Sequence, residues 1–154
     1  YNFTLNYPKD ALWDAVEECG GMGMSPGPVD VGRKYCSGVD ITINEKDSLA
    51  FYPGSLHFDL LDKSMNESFD AFVSETMKDA IVRERARRKI NGRDAVTIRV
   101  DGGGVTLGSI SRITGEATFL FLDISPTEVG FFEYTETGDA ILKEKIVSTF
   151  KTIP

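Results

Sequence analysis

Asn91-Gly92 separates a basic run ending at Ile90 from the alternating stretch Ala95-Val96-Thr97-Ile98-Arg99-Val100. An Asn-Gly pair beside an alternating segment is the strongest short-range signal for a two-residue hairpin, because both central residues of that turn need positive φ. The chain is therefore expected to reverse there, and the sequence beyond extends the sheet. Asp101-Gly102-Gly103-Gly104 reads as a flexible turn, and Ile110 to Thr114 as a strand. Thr118 to Ile124 is almost continuously apolar, the pattern of a central strand covered on both faces. After the Ser125-Pro126 break, Val129 to Tyr134 returns as its neighbour. Thr137-Gly138-Asp139 then leads into a last helix with Leu142, Ile146, Val147 and Phe150 on its buried side.

The first half follows the same two periodicities. Phe3 to Tyr7 alternates and stops at Pro8, which predicts a half-buried strand, and Trp13 falls on a short segment read as a helical turn. Val39, Ile41 and Ile43, then Leu56, Phe58 and Leu60 after Pro53-Gly54, have strand spacing, with Ser48 to Tyr52 a further short candidate. Ser64-x-x-Glu67 matches a capping box and predicts a helix start. Phe69, Phe72, Val73, Met77, Ala80 and Ile81 make an apolar stripe that extends the helix to Ile81. Strands, helix, hairpin-connected strands and helix together give an α+β domain, a mainly antiparallel sheet packed between helices. At 154 residues the whole chain, 1–154, is expected to form one such domain.

Charge and cysteines bound the setting. A net charge of −7 argues against nucleic acid as a partner, since that affinity comes from neutralising phosphates. No apolar run approaches the roughly 18 to 20 residues that cross a bilayer. The chain starts at Tyr1 rather than Met, so a targeting segment or membrane tether upstream is left open. Cys19 and Cys36 enclose the Gly- and Pro-rich stretch Gly20 to Pro28, which cannot hold one shape alone. A Cys19–Cys36 disulfide would add about 3 kcal/mol in the chain-entropy model. It would also place the protein in an oxidising, extracytoplasmic compartment, and denatured, unreduced protein would then show no titratable thiol. Two buried thiols are the alternative reading.

Phe3-Thr4-Leu5-Asn6-Tyr7-Pro8 with Trp13, the helix after Ser64, the turn Ile90-Asn91-Gly92-Arg93-Asp94-Ala95 and the ending Ile146-Val147-Ser148-Thr149-Phe150-Lys151 resemble the PsbP-like proteins across most of the chain. The resemblance implies an α/β/α sandwich and an exported accessory role, with protein binding rather than catalysis. The Cys-bounded loop departs from that pattern, and no functional residue is carried over.

The residues themselves point away from several chemistries. His57, the single histidine, lies between Leu56 and Phe58 and should face away from both, as a solvent-facing or satisfied strand histidine. Cys19 or Cys36 could pair with it as a thiol nucleophile, but neither lies in a recognisable catalytic signature. Met22-x-Met24 suits loop methionines better than a copper site. The Asp101 to Gly104 stretch lacks the Lys and Ser/Thr of a phosphate loop. Asn2-x-Thr4 and Asn66-x-Ser68 match the glycosylation triplet by coincidence. No cofactor or metal is expected, and dispersed carboxylates offer no particular pair.

Charge placement is more telling. Residues 83–99 hold seven basic and two acidic side chains, whereas residues 116–144 hold seven acidic and one basic. Arg83, Arg85, Arg87, Arg88 and Lys89 should face solvent, because burying unpaired charge is too costly. They are either an ordinary solvated face or a docking patch for an acidic protein surface or anionic headgroups. The reading is a noncatalytic, exported accessory or protein-binding domain. Its alternatives are a small-molecule or lipid carrier with an apolar cavity between sheet and helix, and a hydrolase using dispersed carboxylates.

Overall fold

A computed structural model of the chain describes residues 3–4, 12–16, 38–42, 56–107, 110–135 and 140–152. Its strands are β1 (Phe3–Thr4), β2 (Leu12–Val16), β3 (Gly38–Thr42), β4 (Leu56–Asp62), β5 (Ala80–Ile90), β6 (Arg93–Leu107), β7 (Ile110–Thr114), β8 (Ala117–Ser125), β9 (Glu128–Tyr134) and β10 (Lys151–Thr152), and its helices are α1 (Phe69–Thr76) and α2 (Ala140–Ser148). Every ladder among the described residues is antiparallel. The main sheet runs β2-β3-β4-β9-β8-β6-β5, with β7 also pairing β6, and β1 pairs β10 in a separate ribbon.

The hairpin forms where the sequence places it. Ile90 pairs with Arg93, and Asn91 and Gly92 have φ of 48° and 83°, the signature of a primed turn that matches the twist of the flanking strands. Asn91 also donates through Nδ2 to the Phe150 carbonyl at 2.6 Å, which ties the turn to the segment after α2.

β8 is an interior strand of the sheet, between β9 and β6. Phe119, Leu120, Phe121 and Leu122 are all fully buried, and successive residues serve opposite cores. Leu120 and Leu122 join Leu56, Phe58, Phe132 and Tyr134 under Ile146 and Val147 of α2, with Phe150 beyond its end. Phe119 and Phe121 join Val96, Ile98, Val100 and Phe131 under Phe72, Val73 and Met77 of α1 and its C-cap. Two layers of helix thus cover one sheet, as a strand apolar on both faces demands.

Four expectations need correction. Trp13 lies in β2, not in a helical turn. The cap of α1 is Ser68, whose Oγ accepts from the Ala71 amide at 3.2 Å, so Ser64 and Glu67 belong to the preceding turn, where the Glu67 amide donates to the Ser64 carbonyl. The helix also stops at Thr76, with Ala80 and Ile81 already in β5, because pairing with β6 overrides the helical spacing, even for Ala80, whose own preference is for helix. Finally, Asp101 to Gly104 is no turn but the middle of β6. Gly102 and Gly103 have φ of 137° and 103°, and the Gly104 amide donates to the Asp79 carbonyl at 2.8 Å. Glycine is needed here because the strand kinks where the end of the α1–β5 link crosses close to its backbone: a Cβ on Gly103 would lie 2.6 Å from the Asp79 carbonyl oxygen. Beyond the kink β6 continues against β7 in the same register it keeps with β8.

Candidate partner-binding surface

β5 carries the basic run on a strand whose side chains must alternate between faces. Arg85 and Arg87 stand opposite Ile98 and Val96, and Lys89 opposite Asp94, all on the α1 side of the sheet. Arg88 stands opposite Ala95, on the α2 side, where Glu84 faces Arg99 two rows away. Arg83 is the extra residue of a bulge between Val82 and Glu84. The five cations that look like one patch in the sequence are therefore a two-sided edge.

Each of them meets an acid. Arg85 and Arg87 both reach Asp70 in the first turn of α1, Lys89 lies 3.0 Å from Asp94, and Arg88 Nη1 lies 2.8 Å from Glu144 of α2. Arg83 bridges Asp101 and Glu116, the latter at 2.7 Å. Its hydrogen bonds to Glu116 first, then to Asp101, raise its pKa further. These side chains are between about a third and two thirds exposed, a setting in which an ion pair contributes about 0 to 1 kcal/mol. Such pairs position the side chains but are readily exchanged for other acids. Four of the five cations are exposed residues, and Arg88 is half-buried.

Glu144 does double duty, since it also accepts from the Tyr134 hydroxyl at 2.6 Å. Burial, and then this hydrogen bond, push the Tyr134 pKa well above its ordinary value. On the same helix Lys143 is fully buried, donating to the Thr135 carbonyl and hydroxyl at 3.1 Å each.

One constellation was not singled out by sequence reasoning. His57 and Glu133 are direct cross-strand partners on β4 and β9, 3% and 1% exposed, and Asp40 of β3 is the register partner of His57. His57 faces away from Leu56 and Phe58 as the alternation requires, but it is buried, with its ring edge-on to Phe131 at 6.5 Å. The available signal was Glu133 itself, a lone carboxylate inside the apolar run Gly130 to Tyr134. Both groups have bonding partners, and at this burial they present nothing to solvent. Among the described residues, an open depression of about 460 Å³ beside Lys63 is lined by charged residues, Glu67, Arg93, Asp94 and Asp123, together with the apolar Phe69 and Ile124. Cys19 and Cys36 lie outside the described residues.

The solution structure of cyanobacterial PsbP (CyanoP) from Synechocystis sp. PCC 6803 superposes with a TM-score of 0.54 over 98% of this chain and 86% of that one, at 14% identity. The fold is PsbP-like. No protein-family model matches the sequence, and no curated protein is significantly similar to it. In this chain helices lie on both faces of one antiparallel sheet, and β5 is outermost in the strand order of the described residues. No helix among the described residues is long and apolar enough to cross a membrane.

Proposed function

We propose that this protein is a noncatalytic, exported accessory domain that binds an acidic protein surface through β5. The observation that carries this reading is the concentration of five cations and one acid on an exposed outer strand of a chain whose net charge is −7. Such a local reversal of sign guides an acidic partner to one edge while the rest of the surface repels it. The likeness to CyanoP supports the fold on which the surface is built and leaves the partner open.

The reading is tested by capture from an extracytoplasmic extract of the source organism, comparing the wild type with Arg87→Glu/Arg88→Glu. Those two residues sample both faces of β5. The variant should keep a thermal midpoint within a few degrees, because only two surface pairs are lost, yet recover clearly less of its specific partner at low salt, with the difference shrinking as salt rises. Equal recovery at low salt would reduce β5 to a solvated face.

A further inference from the structure

We propose that the outer edge of β5 accepts an extended, acidic segment of the partner as an added antiparallel strand. This inference rests on the docking role just given to β5 and specifies its mode. Among the described residues β5 pairs only with β6, and residues 81–87 are all exposed. An edge strand of this kind turns every second residue's N–H and C=O outward without a partner, which is the template that strand addition uses. Beyond the bulge at Arg83 the regular stretch Glu84–Ile90 has no proline and offers about 20 to 25 Å of such edge.

The side chains choose the occupant. A second copy of β5 is disfavoured: antiparallel pairing centred on Arg85 sets Arg85 against its own copy, and centring on Ala86 sets Arg85 against Arg87 twice, with Glu84 against Arg88 the favourable pair in return. Like charges directly opposite are destabilising. An acidic strand inverts each of those repulsions. Its carboxylates would meet Arg85, Arg87 and Lys89 on one face and Arg88 on the other, displacing the weak surface pairs with Asp70 and Glu144. Ile81 and Val82, 62% and 46% exposed at the start of the strand, add an apolar contact for one end of the segment. The occupant is thus an extended stretch with acids on both faces over its length and one or two apolar residues at the end that meets Ile81. The antiparallel sense follows from its more favourable ladder.

The test uses the full chain, isotopically labelled, titrated at low salt with a synthetic nine-residue peptide of seven Glu followed by two Val at its C-terminal end, the end that meets Ile81 in antiparallel pairing. Two versions are N-methylated on alternate amides, one for each edge of the peptide strand, and one version carries Lys in place of Glu. Strand addition predicts slowed amide exchange at alternate residues within Ile81 to Lys89. It also predicts at least about tenfold weaker binding for one N-methylated version and none for the Lys version, while the other N-methylated version binds as the parent does. Two N-methylated versions that both bind as the parent does would overturn strand addition and leave charge-based docking standing. Equal binding of the Glu and Lys versions would overturn both the inference and the proposed function. No binding of the Glu peptide at all would overturn the inference.

Discussion

Two Gly→Ala substitutions separate the structural account of β6 from the reading in which Asp101 to Gly104 is a loose turn. Gly92, in the hairpin, has φ of 83° and nothing within 4 Å of an added Cβ. Gly92→Ala therefore meets only the backbone preference, about 1 to 2 kcal/mol for a left-handed residue. The stiffer unfolded chain offsets about 0.4 to 1 kcal/mol of that, so the net loss should be near 1 kcal/mol. Gly103 has φ of 103°, and its Cβ would lie 2.6 Å from the Asp79 oxygen, 2.8 Å from the Ile81 nitrogen and 2.9 Å from the Ala80 Cα. All three are backbone atoms, so no side chain can rotate away. Strain of about 1 to 3 kcal/mol and overpacking of similar size then add, for a loss of about 2 to 6 kcal/mol. Urea unfolding followed by circular dichroism and tryptophan fluorescence measures both variants, with the slope m checked for two-state behaviour. If Gly103→Ala costs no more than Gly92→Ala, the kinked strand with the Asp79 to Ile81 segment pressed against it is wrong.

Two further outcomes follow from burial. Phe121→Ala should cost about 3 to 5 kcal/mol in the same assay, because the ring is fully buried against Phe131 on the α1 side of an interior strand; a loss below about 1 kcal/mol would move β8 to an edge. Tyr134, with its folded-state pKa raised by burial and by Glu144, holds its proton where the unfolded chain releases it. Its contribution is complete below about pH 10, the ordinary tyrosine value, and is lost as pH rises above it. Tyr134→Phe should consequently be less stable than the wild type at neutral pH yet lose less stability between about pH 9 and 11, and parallel curves for the two proteins would contradict the buried Tyr134–Glu144 contact.

Much of the sheet was legible because its signals are local. Asn91-Gly92 needs only its own two φ values, and Phe119 to Leu122 declares a two-sided strand whatever lies beside it. The strand-to-helix balance around residue 80 was not legible, since Ala80 and Ile81 continue the spacing of α1 and only the partner strand β6 decides against the helix. The Gly102 to Gly104 kink was hidden for a related reason: glycines that mark a turn and glycines that admit a close backbone look alike until the neighbouring segment is in place. Ser64-x-x-Glu67 satisfied the spacing of a capping box, yet Ser68 caps the helix, because two serines four residues apart compete and the turn at Lys63 to Glu67 claims the first. For the basic run, the sequence showed the charge but not its division. Alternation along β5 puts Arg88 on the opposite face from Arg85 and Arg87, and acids from α1, α2 and the β6–β8 edge that are distant in the chain come to lie against it. The His57–Glu133 juxtaposition likewise depends on the β4–β9 register, which no single segment contains.

The central claim is that β5 is the surface this domain uses. Hydrogen–deuterium exchange of the protein alone and in complex with the partner captured from its source tests that most directly. The account predicts that slowed exchange on binding falls within Ala80 to Ile90, while β8 and β9, already enclosed in the sheet, change little. Unchanged exchange in β5 with new protection on the α2 face, or along the β2 edge, would place the partner elsewhere and contradict it.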